Sequence, residues 1–188
     1  TITDGIIGDA RHFDGTDDQI VVADHNSLSF SSGITAEAWF KIDSDTAANQ
    51  TILAKSTEYA LRYNYSTDEV AFYLYDGSDY EPSVSVGVEF DKWYHVAGVW
   101  DSTSDIQKIY LNGQLVDSVS HSFTPSNSAT NLTIGSWLSG SYFNGVIDEV
   151  RISNTAHTTD EIRQAYEVGI RTHPITIDFK ADLESGNL

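Results

Sequence analysis

Short segments of alternating character, rich in β-branched and aromatic residues, recur along the chain at 18–23, 34–42, 51–56, 58–65, 69–75, 84–89, 93–100, 106–111, 114–120, 131–136 and 146–153. Successive side chains on a strand face opposite ways, so each such segment has one apolar and one polar face. Clusters of Gly, Asn, Asp and Ser separate them. Asp76-Gly77 and Asn112-Gly113 supply the positive φ that tight primed hairpin turns need. Strands this short and this frequent predict an all-β sandwich or barrel. At 188 residues the chain suffices for about one domain with one core.

One helix interrupts the pattern. In "HTTDEIRQAYEVG", Thr158 and Glu161 have capping-box spacing, Ile162, Ala165 and Tyr166 line one face, and Gly169 suits a C-terminal stop. This sets a domain over residues 1–169. Residues 170–188 then form a further strand, Ile175 to Phe179, or begin a following domain.

Composition excludes several function classes. With no cysteine there is no disulfide, thiol nucleophile or zinc finger. No apolar run reaches the roughly 18 residues of a membrane span, so no membrane insertion is expected. The net charge of −18, with 19 Asp against 9 Glu, repels nucleic acid and anionic lipid, since both are bound through Lys and Arg. It suits a solvated surface, calcium affinity or adaptation to high salt. Residues 1–13 lack the basic and apolar regions of a signal peptide, and the chain has no methionine. It reads as a piece of a longer protein, with other domains of the same chain as neighbours.

One residue breaks the alternation. In "FNGVIDEVRIS", residues 143–153, Asp148 shares its parity with Val146, Val150 and Ile152. An unpartnered buried carboxylate is costly, so it pairs, protonates or binds a metal. Arg11, Arg151 and backbone N–H groups at a strand end are all candidate partners.

Three segments together carry a family resemblance: "ARHFDGTDDQIVVADHNSLSF…ITAEAWFKI", "KWYHVAGVWDSTSDIQKIYLNGQLV" and "LTIGSWLSGSYFNGVIDEVRISNTAHTTDEIRQAYEVG". In order and spacing they resemble the laminin-G-like (LamG-3 type) jelly roll of the concanavalin A-like lectin/glucanase superfamily over residues 5–169. The resemblance implies an all-β jelly-roll sandwich of two antiparallel sheets, one with a concave outer face. It implies a module of a secreted or cell-surface multidomain protein that binds a glycan or a surface protein. It puts Trp39 and Trp93 in the core. It also implies a structural Ca²⁺ held by Asp148 with backbone carbonyls from the N-terminal region. The "FDGTDD" turn adds Asp14, Asp18 and the flexible Gly15, with Asp17 between, and Asp18 shares parity with Ile20 and Val22. The spacing is not that of an EF-hand.

Catalysis is not expected. Retaining glycosidases of this superfamily need two carboxylates about 5–5.5 Å apart. "GVIDEV" lacks the leading acid, because Gly145 and Val146 stand there. His95 reads as a core histidine, and no serine has a nucleophile-elbow context.

Binding residues can be assigned from parity. Tyr59, Leu61 and Tyr63 on one face turn Arg62 and Asn64 outward. Val70, Phe72 and Leu74 inward turn Tyr73 and Tyr75 outward, and Ile109 and Leu111 inward turn Tyr110 outward. Trp137 and Tyr142 sit in the small polar loop "SWLSGSYFNG". Rings that stack on sugar C–H faces, beside groups that bond hydroxyls, make a glycan site of Arg62, Asn64, Tyr73, Tyr75 and Tyr110 on one sheet, with Trp137 and Tyr142 as its loop. The acidic surface favours neutral glycans, although Arg62 offsets it locally.

Overall fold

The computed structural model describes residues 1–44, 46–75, 79–80, 83–85, 89–120, 122–137 and 140–172. In chain order its strands are β1 Ile2–Asp4, β2 Asp9–Asp14, β3 Ile20–Val22, β4 Gly33–Ile42, β5 Gln50–Lys55, β6 Tyr59–Asn64, β7 Glu69–Tyr75, β8 Asp79–Tyr80, β9 Ser83–Ser85, β10 Tyr94–Asp101, β11 Ile106–Leu111, β12 Gln114–Ser120, β13 Leu132–Ile134 and β14 Asn144–Ser153. A helix, α1, spans Thr159–Thr172, and a short 3-10 turn spans Asn26–Leu28. The first sheet runs β1-β2-β14-β4-β10-β11-β12. The second runs β3-β13-β5-β6-β7-β8, with β9 also against β7. Each pairing is antiparallel. The architecture is a jelly-roll sandwich.

Strands β1 and β2 escape the alternation reading because β2, "DARHFD", buries only Ala10 and Phe13. The segment expected at 18–23 narrows to β3, whose residues are all exposed. That expected at 84–89 is described as strand only over Ser83–Ser85. Residues 86–88 and the strand expected at 175–179 lie outside the described residues. Asn112 and Gly113, at φ 50° and 75°, make the turn expected between β11 and β12.

Alternate residues of both sheets fill one core, including Phe40, Trp100 and Ile109 from the first sheet and Leu61, Phe72 and Leu74 from the second. Burying such a side chain fully contributes about 1.5–3 kcal/mol. Gly98, in mid-β10, lets the second sheet's Phe72 ring pack directly against the backbone of the first: a Cβ there would lie 2.1 Å from Phe72 Cγ. Trp39 is buried but faces away from this core, and Trp93 is only half-buried.

Helix α1 covers the outer face of the first sheet. Its cap is the expected one: the Thr158 N–H donates to Glu161 Oε2 at 2.7 Å, and the Glu161 N–H donates to Thr158 Oγ1 at 3.3 Å. Ile162 packs on Ala97, Val99 and Tyr110. Gly169 is not a stop, since the helix continues to Thr172. It is a contact glycine, where a Cβ would meet the Trp39 ring at 2.5 Å.

Asp148 does not stand in the core row. It lies opposite Trp39, and Arg151 lies opposite Glu37, so three steps along β14 match two along β4. Glu149 absorbs the extra residue with φ 47°. A bulge of this kind reverses the parity of the residues beyond it. Ile147 therefore faces the core before it, and Val150 and Ile152 face the core after it. Asp148 falls on the outer face, under the β1–β2 loop. Its Oδ2 accepts the N–H groups of Ile6 at 2.7 Å and Ile7 at 3.1 Å, and its Oδ1 accepts that of Glu149 at 2.8 Å. Backbone amides are thus the carboxylate's partners, and Gly5 lets the loop wrap it, because a Cβ there would sit 2.4 Å from Oδ2.

Candidate functional site

The outer face of the second sheet carries the group that best fits a ligand. Across it, Thr133, Ala54, Ala60 and Tyr73 pair in one row, and Thr51, Arg62 and Ala71 pair in the next. The alanines are small enough for larger groups to lie over them, and Ala54, Ala60, Ala71 and Tyr73 form a cluster closed by Trp137. The Arg62 guanidinium carbon lies 5.0 Å from the Tyr73 ring centroid and 4.8 Å from that of Trp137. The two rings meet edge-on at 6.1 Å. A guanidinium over aromatic rings is a favourable cation–π contact.

The loop that brings Trp137 here is pinned by backbone bonds. Gly135 N–H donates to Ile52 O, Phe143 N–H to Gly135 O, and Thr51 N–H to Ser141 O, each at 2.9–3.0 Å. Gly135, at φ 82°, also clears the Phe13 ring.

Three polar atoms in this group are buried without a hydrogen-bond partner: Arg62 Nε, Trp137 Nε1 and Thr51 Oγ1. Arg62 makes no ion pair or hydrogen bond with any described residue. Buried polar groups are rarely left in this condition, and each such case calls for an explanation. Sequence reading missed Thr51 and the alanine floor. The floor was legible in "LAK", "YAL" and "VAF", where alanine takes the outward parity.

The other expected binding residues divide. Tyr73 points outward as expected but is only 8% exposed, because Arg62 and Trp137 lie over it. Tyr75 is half-exposed on the same face, and Asn64 accepts from Ser66 N and Ser66 Oγ within its own turn. Asn64 pairs with Glu69, six residues from Tyr75, so the two stand on the order of 20 Å apart and do not converge. Tyr142 is half-exposed in the pinned loop. Tyr110 belongs elsewhere. It lies on β11 in the first sheet, wholly buried under α1, with its hydroxyl 3.0 Å from Thr159 Oγ1. Parity gave its direction correctly but not which sheet it belongs to, nor the helix above it.

The acidic turn is intact as a cluster. Carboxylate oxygens of Asp14, Asp17 and Asp18 lie within 4.8 Å of one another. The Thr16 N–H donated to Asp14 holds its carboxyl below the usual range, against a small opposing effect of burial. Gly15, at φ 76°, makes the turn and donates to Phe143 O. Asp18 is half-buried, beside a β3 whose residues are exposed rather than inward. Asp148 is not part of this cluster. Asp14 pairs with Asn144, and Asp148 lies four residues further along β14, on the order of 13 Å away. Its oxygens face N–H donors, whereas Ca²⁺ needs oxygen ligands.

A buried ionic group lies under α1. Glu37 is 3.3 Å from His95 Nε2 and 3.2 Å from Arg151 Nε. Burial raises the Glu37 carboxyl, but the His95 contact and the nearby charges of Arg151, His95 and His157 outweigh it and leave the group below its ordinary value. Among the described residues no helix is long and apolar enough to cross a membrane.

Comparison with known proteins agrees with this architecture. The chain is similar to domain 4 of the extracellular arabinanase AbnA from Geobacillus stearothermophilus, solved with arabinotriose, at 22% identity and a TM-score of 0.71, covering 87% of this chain and 79% of that one. It is similar to the CBM40 of the Ruminococcus gnavus IT-sialidase bound to α2,3-sialyllactose, at 16% identity and a TM-score of 0.63, covering 81% and 100%. It is also similar to the binding domain of Paraclostridial Mosquitocidal Protein 1, at 14% identity and a TM-score of 0.74, covering 89% of this chain and spanning about half, 45%, of that one. No curated protein matches the chain. The model of the Laminin_G_3 family matches residues 14–163, most of the sequence. The chain therefore belongs to the Laminin_G_3 family of the concanavalin A-like lectin/glucanase superfamily.

Proposed function

We propose that this domain is a non-catalytic, carbohydrate-binding module of a secreted or cell-surface multidomain protein, and that its glycan sits on the outer face of β5, β6 and β7. The observation that carries this reading is the Arg62–Tyr73–Trp137 group over its alanine floor, with partnerless polar atoms beside aromatic faces. Rings supply stacking for sugar C–H faces, and the polar atoms supply hydrogen bonds. Relatives of the same fold solved with arabinotriose and with sialyllactose support it. A thermal scan against an oligosaccharide panel tests it. A ligand at about 100 times its dissociation constant adds about 2.7 kcal/mol, a melting shift of roughly 5–11 °C for a domain of this size. Trp137→Ala should abolish the shift, and Lys108→Ala on the other sheet should leave it unchanged. No response across neutral and acidic panels would favour a second reading, a protein-interaction spacer. The exposed apolar edge strand β3, with Val21 at 52% exposure, favours that alternative.

For calcium, the residues that fit are Asp14, Asp17 and Asp18, and the ion's role would be to pin the β2–β3 turn. If so, EDTA lowers the melting temperature, Ca²⁺ restores it, and Asp14→Asn removes the response. Asp148→Ala should instead cost about 2 kcal/mol with or without Ca²⁺, because three amide donors lose a charged acceptor. A melt indifferent to both chelator and Ca²⁺ would remove the calcium proposal.

A further inference from the structure

Resting on the glycan reading, we infer that the ligand is acidic: an oligosaccharide with an isolated carboxylate-bearing sugar, whose carboxylate is taken by Arg62. The chain holds 28 carboxylate residues against 10 Lys and Arg. The fully buried cation, Lys55, meets Asp24 and Glu58, and the exposed Lys92, Arg151, Arg163 and Arg171 also meet acids, whereas Arg11, Lys41 and Lys108 do so with none of the described residues. Arg62 also has no acidic partner among the described residues, and it differs from those three in lying against two aromatic rings, with its Nε buried and unpaired.

Its surroundings define what is missing. The Tyr73 and Trp137 rings, 6.1 Å apart and steeply inclined, flank the guanidinium on one side, so a partner approaches from the side away from them. The Arg62 Nε is buried without an acceptor. A guanidinium edge with free in-plane donors matches a carboxylate bidentately. Trp137 Nε1, a donor only, and Thr51 Oγ1 stand beside it unpaired. One cation with additional donors calls for an anion flanked by hydroxyl or carbonyl oxygens, as on a sialic or uronic acid residue. A neutral sugar would leave the charge of Arg62 uncompensated.

The rest of the surface sets how much charge the ligand carries. A net charge of −18 repels polyanions over the Debye length. That disfavours polyuronates and sulfated polymers, and leaves a single acidic residue on an otherwise neutral glycan. The neutral preference expected from composition is revised at this one position.

The test is isothermal titration of the intact domain with sialyllactose, with a glucuronate-capped xylo-oligosaccharide, with the methyl ester of each, and with lactose. The acid form that binds should do so at least tenfold more tightly than its own ester. Its affinity should fall with salt, and Arg62→Gln should erase the difference between acid and ester. The sialyl and glucuronyl arms show which acidic sugar it is. The ester comparison needs no variant, so it stands even if Arg62→Gln fails to fold. Equal affinity for acid and ester, or for lactose, overturns this inference and leaves the glycan reading intact. Failure of every oligosaccharide, neutral ones included, overturns both.

Discussion

Replacing Lys55 with alanine is expected to lower the melting temperature by roughly 6–20 °C, measured by calorimetry at neutral pH. Lys55 and Glu58 are fully buried, and their charged ends meet at 2.5 Å. Lys55 also reaches Asp24 Oδ1 at 3.0 Å and the Ser128 carbonyl at 2.7 Å. Glu58 Oε1 in turn accepts Ser128 N–H at 2.8 Å and Ser128 Oγ at 2.9 Å. The pair therefore ties β5 and β6 to the 126–130 segment and to the strand-edge residue Asp24. Removing one member leaves the other charge buried without its counter-ion, which costs about 3–5 kcal/mol. Lys55→Met with Glu58→Leu should recover much of the loss, since a buried ion pair and an apolar pair of similar volume are often close in stability. A loss below about 1 kcal/mol for Lys55→Ala would mean that water, not protein, satisfies Glu58.

Gly98→Ala should cost about 3 kcal/mol, near the upper end for overpacking a core, and lower the melting temperature by roughly 6–12 °C. The added Cβ would meet Phe72 Cγ at 2.1 Å and both Cδ atoms within 2.6 Å. The ring sits between the sheets and has no free side to move toward. A glycine in mid-strand normally weakens it, so here the entropy is offset by the close approach of the two sheets. Phe72→Leu in the same molecule should restore part of the loss and mark the clash as its source. An unchanged melt for Gly98→Ala would show that the sheets separate easily at this point.

Both residues show what sequence reading reaches and where it stops. The alternation in "YALRYN" and "EVAFYLY" was enough to place Leu61, Phe72 and Leu74 inside and Arg62 and Tyr73 outside, because a strand side chain has only two directions. Capping chemistry was equally local, and Thr158 with Glu161 behaves as spacing alone predicts. Gly98, by contrast, carries no signal, since its role belongs to a ring 26 residues away on the opposite sheet.

Parity gives a direction but not what lies above the residue. Tyr110 and Tyr73 both point outward, yet one is roofed by α1 and the other by Arg62 and Trp137, on different sheets. Asp148 shows a further limit. Its place in the sequence row was correctly read, but one extra residue at Glu149 turned that row over, and a bulge has no local periodic signature. The sequence alone determined that the described residues make short alternating strands and a capped helix, because those depend on neighbours along the chain. Only the tertiary structure decided that Arg62 lies against Tyr73 and Trp137 with no acidic partner among the described residues, because which groups come near it depends on how two sheets and a loop are folded over each other.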